Sequence, residues 1–153
     1  MGEPIPIRVV VTEADFDLGA EAARLEAGGD TGAVVTFTGR VRDTDGALRR
    51  MVIEHYPGMT ERALTEIARE ACERWPLTGV TIHHRHGTLV PGDRIMMVAT
   101  ASRHREAAFE AASFLMDYLK SRAPFWKKEE TRDGAEWVAA READEAALDR
   151  WNA

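Results

Sequence analysis

Hydrophobic positions along the chain alternate between two periods, and the switches between them mark the elements. Ile5 to Thr12 places β-branched residues at Ile7, Val9, Val10 and Val11 and predicts a first strand. From Asp17 to Ala27, Leu18, Ala22 and Leu25 recur at helical spacing, Asp17 caps the start and Gly28-Gly29 ends the run. Gly32 to Arg42 and Ala47 to Tyr56 are β-rich, and the Asp45-Gly46 step between them predicts a hairpin. Thr60 precedes a helical pattern reaching about Trp75, with Ala63, Leu64, Ile67, Ala68 and Ala71 on one face and Pro76 as the stop. Val80 to His86 and Arg94 to Ala101 form a second strand pair joined through Pro91-Gly92-Asp93. Arg103 to Arg122 is the longest predicted helix, lined by Ala108, Ala111, Leu115 and Leu119 and closed by Pro124. A loop is expected next, then an Asp133-Gly134 turn, a short Trp137-Val138 apolar step and a weak helical run toward Trp151. Two tightly joined strand pairs favour an α+β fold with mainly antiparallel pairing over a doubly wound sheet.

Composition narrows this picture. At 153 residues, 44% hydrophobic and 30% charged, the chain fits one globular domain. It opens without a basic segment followed by an apolar one, and no apolar run is long enough to span a bilayer, so a cytoplasmic protein is expected. Cys72, the single cysteine, has no partner for an internal disulfide, and no Cys/His spacing matches a structural zinc site. A formal net charge of -6 argues against nonspecific nucleic-acid or membrane binding. Against that acidic whole, Arg103, Arg105, Lys120, Arg122, Lys127 and Lys128 concentrate in one stretch and suggest a focused anion site.

Ser102-Arg103-His104-Arg105 opens the long helix, where free N–H groups already supply positive charge. Two arginines and a histidine there conflict with the helix dipole unless an anion joins them or the side chains turn away to solvent or to Glu106 and Glu110. At the other end, Lys120 precedes Ala123-Pro124-Phe125-Trp126-Lys127-Lys128, two aromatics between basic residues. An apolar wall beside two ammonium groups lowers lysine pKa values, which makes a lysine a usable base or nucleophile. The rival reading buries Phe125 and Trp126 and leaves Lys127-Lys128 in water. Phe37-Thr38-Gly39-Arg40-Val41-Arg42 puts Phe37, Gly39 and Val41 on one strand face and Arg40 and Arg42 on the other, an arginine pair able to complete a phosphate clamp or simply to face solvent. His83, His84 and His86 lack a nearby carboxylate or thiol to complete a metal site, and Cys72 reads as a small buried hydrophobe.

Taken together, the motifs GAVVTFTGRVRD, EHYPGMTE, RWPL, HRHGTLVPGD, SRHRE and MDYLKSRAPFWKKE, in that order from about Gly32 to Arg141, resemble the large, catalytic subunit of molybdopterin synthase. The resemblance implies an α/β-hammerhead-containing α+β fold with flanking helices, residues 1–153 forming one large-subunit domain, with no resident metal or cofactor. It also implies a homodimer of large subunits within a heterotetramer, each docked with a small ubiquitin-like subunit whose Gly-Gly end carries a thiocarboxylate. Sulfur would pass from that end to cyclic pyranopterin monophosphate, forming the dithiolene. Carried over by motif, Lys120 and Lys127 are the catalytic residues; Arg42, His104, Arg105 and Arg141 bind phosphate and pterin, and Phe37 and Met116 form pocket wall.

Arg105 and Lys120 lie fifteen positions apart on one predicted helix, about 22 Å at helical rise and too far to grip one small substrate. A site shared across the dimer is therefore expected, Lys120 and Lys127 from one subunit and His104, Arg105 and Arg141 from its mate. Two other functions remain open on the residues: a phosphate- or pterin-binding module without turnover, and a docking protein for a ubiquitin-like partner.

Overall fold

A computed structural model of the chain describes residues 4–43, 46–138 and 142–152, with only the backbone at 142 and 143. Two four-stranded sheets share the core. The first has the order β1 (Ile7–Thr12), β4 (Leu77–Arg85), β6 (Arg94–Ser102), β2 (Ala33–Arg40); the second runs β5 (Gly87–Leu89), β3 (Leu48–His55), β7 (Phe125–Thr131), β8 (Gly134–Val138). Among the described residues only β1 with β4 pairs in parallel, so the mainly antiparallel α+β fold expected from the sequence is the one found.

Alternation along the central strands assigns the faces. Val80 and Ile82 on β4, with Met96 and Val98 on β6, point toward α2 (Met59–Arg74) and α3 (Arg105–Ser121) and are buried there with Leu64, Ala68, Phe114 and Leu115. Met97, Ala99 and Ala101 point the other way and pack with Phe16 and Leu25 under α1 (Leu18–Glu26). The small residues Ala107, Ala108, Ala111 and Ala112 let α3 approach the sheet closely, and Thr100 Oγ1 donates 2.6 Å to Ala108 O to fix the helix on β6. Ile53 of β3 joins the same core at 1% exposure, each such side chain contributing about 1.5–3 kcal/mol on burial. No helix among the described residues is long and apolar enough to cross a membrane.

Several expectations need correction. The runs on either side of Asp45-Gly46 do not pair: β2 is antiparallel to β6 and β3 is antiparallel to β5 and β7. Asp43 Oδ1 accepts from Leu48 N at 3.1 Å, and Asp45 of the expected turn lies outside the described residues. Val41 binds backbone to backbone with Gly92 and Asp93, and Leu48, Met51 and Ile53 bury on the second sheet, so the chain passes from one sheet to the other between them. The segment after Pro124, expected as a loop, is β7; its Phe125 lies opposite His55, and its polar residues from Lys127 to Thr131 are all partly buried. The Asp133-Gly134 turn is present, with Gly134 at φ 130, a region open to glycine. β4 and β6 pair as expected, with β5 breaking away between them into the second sheet. Last, α4 (Glu142–Asp149) and a closing turn lie along α3, where Trp151 Nε1 donates 2.6 Å to Asp117.

Candidate functional site

Lys120 projects from the last turn of α3 and Lys127 from β7, and the Lys120 charge lies near enough to act on the Lys127 amine. With Lys128, they are the chain's three lysines. Lys127 is largely buried, and that burial, then the neighbouring Lys120 charge, pushes its pKa down to about 8, with Asp144 and Glu129 opposing the fall. Phe125 is half-buried against the core, and Trp126 is 49% exposed. The two aromatics thus divide between the core and an exposed wall, and Lys127 follows the apolar-wall reading.

Beneath Lys127 lies a feature that the sequence did not reveal. His84 stacks on Phe125 with ring centroids 3.7 Å apart and planes 14° apart, and His86 contacts His55 at 4.2 Å. His84 Nδ1 donates 2.7 Å to Arg85 O, and burial pushes its pKa down to about 3, so the ring is neutral at any working pH. His83 points to the opposite face of the sheet, against Phe16. Alternation along β4 separates His83 from His84, and the pairing of His84 with a phenyl ring from another sheet has no local sequence signal. No group of three or more His, Cys, Asp or Glu among the described residues is placed to hold a metal.

Two of the anion-binding candidates, His104 and Arg105, sit at the other end of α3, whereas Arg42 follows the far end of β2, whose start at Ala33 is the part that pairs with Ser102. Ser102, expected as the N-cap, is the last residue of β6; its Oγ donates to Pro76 O and accepts from His104 N, and His104 is the N-cap, without a capping side-chain bond. His104 and Arg105 are exposed beside a cavity of about 310 Å³ that Trp75, Ser102 and His104 help to line. Gly32 is required there: its N–H donates 2.9 Å to Ser102 O, and a Cβ would run into Arg103 O. Two cations of the basic stretch are engaged on the surface, Arg103 with Asp30 at 3.2 Å and Arg122 with Glu145 at 2.7 Å. A larger groove, about 830 Å³, runs along α2 and holds none of the predicted site residues.

Phe37 is 42% exposed on the α3 side of β2, opposite Val98. A register shift falls between Gly39 and Arg40, and Val41 beyond it is buried while Phe37 is not. Arg40 donates to Gly92 O, and Arg42 is exposed. Met116 is half-buried against the core, one turn before Lys120. Arg141 lies outside the described residues. Cys72 is half-buried on α2, and burial pushes its thiol pKa up, away from nucleophilic use. Within one protomer, then, Lys120 and Lys127 form one group and His104 and Arg105 another, separated by the length of α3, about 22 Å.

Residues 11–122 match the family model described as MoaE protein. The chain is 63% identical to the molybdopterin synthase catalytic subunit of Cereibacter sphaeroides, over 95% of this chain and 100% of that one. The structure superposes on the molybdopterin biosynthesis MoaE protein from Burkholderia ambifaria with a TM-score of 0.83 and 52% identity, covering 96% of this chain and 99% of that one. In a complex of subunits 1 and 2 of the molybdopterin-converting factor from Helicobacter pylori, one chain shares the fold at a TM-score of 0.69 and 19% identity, covering 89% of this chain and 90% of that one.

Proposed function

Because the chain belongs to the MoaE protein family, that of molybdopterin synthase catalytic subunits, we propose that it transfers sulfur from the C-terminal thiocarboxylate of a small ubiquitin-like subunit to cyclic pyranopterin monophosphate. The observation that carries this reading is the paired amines of Lys120 and Lys127, one of them held at about 8. At that value roughly one Lys127 in ten is neutral at pH 7, so the group both gives and takes a proton readily. A thiocarboxylate end entering here meets two positive groups. As sulfur adds and the cyclic phosphate opens, the same groups stabilise the developing oxyanions.

Arg42, His104, Arg105 and Arg141 bind the phosphate and pterin, and Phe37 with Met116 walls the pocket. Since α3 separates the lysines from His104 and Arg105, each site is composite, completed by the second large subunit of a homodimer that carries two small subunits. Residues 1–153 act as one large-subunit domain in the cytoplasm.

The test is reconstitution. The chain, a Gly-Gly-ended partner charged as thiocarboxylate, and cyclic pyranopterin monophosphate are combined and the dithiolene product is followed by mass spectrometry. Product forms with the wild type and fails with Lys120→Ala. No product from an active partner preparation, with Lys120→Ala indistinguishable, rejects the enzyme.

A further inference from the structure

At the corner where β4 leaves the first sheet for β5 in the second, four rings join the sheets. His84 lies flat on Phe125, and His86 packs on His55, which stands opposite Phe125 in the β3–β7 register. The carbonyl that accepts the His84 proton belongs to Arg85, whose guanidinium bonds Glu13 O at 3.1 Å and Arg94 O at 3.0 Å, so the imidazole is oriented by a fixed peptide. Phe125 and Lys127 are two residues apart on a strand whose register is unbroken over 125–128, so both side chains leave the same face of β7. The His84–Phe125 stack therefore lies beside Lys127 on that face, near enough for the Lys127 charge to act on the His84 ring.

We propose that His84 is a positioning residue for sulfur transfer: its neutral imidazole, stacked on Phe125, pins the start of β7 and closes the floor beneath the Lys127 amine against water. This rests on the sulfur-transfer reading of the site. A histidine serves because the plate must be both flat and directionally anchored. The Nδ1–H bond to Arg85 O supplies the anchor, and burial keeps the ring uncharged. The charged and titratable groups facing Lys127 are Lys120 from α3, Asp144 from α4, Glu129 on its own strand and His84 from β4; His55 on β3 and His86 at the corner face His84. Burial, then the His86 charge, lowers the pKa of His55 as well. His84 stays neutral from pH 7 to 11, so the titration read at the lysine Cε carbons is that of the amines.

The test reads Lys127 without turnover. The full chain carrying ¹³C-labelled lysine gives three Cε signals to follow from pH 6 to 11, assigned by single Lys→Arg variants. With His84→Ala or His84→Gln, which admit water, the Lys127 midpoint rises by about one unit or more from its value near 8 toward the ordinary lysine value of about 10.4, while Lys128 stays put. His84→Phe, which keeps the plate and loses only its anchor, brings the midpoint most of the way back to the wild-type value. The limb of the single-turnover pH profile that reports loss of the amine proton moves with it. A folded His84→Ala or His84→Gln protein with an unchanged Lys127 midpoint overturns the proposal, as does a shift in His84→Phe equal to that in His84→Ala. A wild type that makes no product rejects the sulfur-transfer reading instead, and the Lys127 titration still decides the role of His84.

Discussion

Lys127 is a group whose usefulness works against the fold, and the size of that opposition can be worked out. Burial and Lys120 push its pKa from 10.5 to about 8. At about 1.36 kcal/mol per unit, holding the ammonium in the native state costs on the order of 3 kcal/mol. A lysine with a lowered native pKa is deprotonated in the folded chain while the unfolded chain still holds its proton. Stability therefore rises with pH between about 8 and 10.5, and below about 8 the full penalty is present. Lys127→Met keeps an unbranched apolar stem and removes the charge. Urea unfolding at pH 7, at fixed protein concentration so that any self-association is held constant, should show the variant more stable by up to about 3 kcal/mol. The wild-type rise between pH 8 and 10.5 should vanish in the variant, and sulfur transfer should fall. Equal stability at pH 7 together with the same slope through that window would refute the burial argument.

Two other sites offer independent checks. Glu21 accepts two hydrogen bonds from Arg8, both 2.9 Å, and these hold its carboxyl below the usual range. That stability is present above the unfolded carboxylate pKa and is lost as pH falls through the depressed native one. Glu21→Gln should thus lower stability at pH 7 by on the order of 1–2 kcal/mol and flatten the acid limb of a pH–stability curve, read by thermal unfolding from pH 2 to 7. Gly32→Ala forces a methyl against Arg103 O and should destabilise by about 1–3 kcal/mol, displacing the turn that carries His104. A melting curve and a substrate titration measure the two effects, the second appearing as weaker binding of cyclic pyranopterin monophosphate.

Local chemistry was legible wherever a short segment decides its own conformation. The α3 stripe of Ala108, Ala111 and Leu115 is buried as its spacing requires, and Asp17 caps α1 by accepting from Ala20 N at 3.0 Å. What sequence could not give was partnership. The Asp45-Gly46 turn signal describes a chain reversal and says nothing about which sheet receives each arm, so β2 and β3 were expected to pair and do not. Polar Lys127-Lys128-Glu129-Glu130 masked β7 as a loop, because a strand lying beside a charged site lacks the apolar alternation that marks one. The Lys120–Phe125–Lys127 stretch predicted a lowered lysine pKa, which Lys127 has, whereas the place of His84 depends on a contact between two sheets. The Gly39–Arg40 register shift likewise escapes a strict two-residue period, and it separates Arg40, engaged with Gly92, from Arg42.

The length of α3 makes a shared site the central claim, and mixed dimers test it most directly. Lys120→Ala and Arg105→Ala subunits, separately tagged, are purified as the mixed dimer and assayed for dithiolene formation with charged partner. Two-fold symmetry leaves one of the two sites intact in such a dimer, so activity should return to about half that of the wild type while each parent homodimer stays inactive. A verified mixed dimer no more active than its parents would contradict the account.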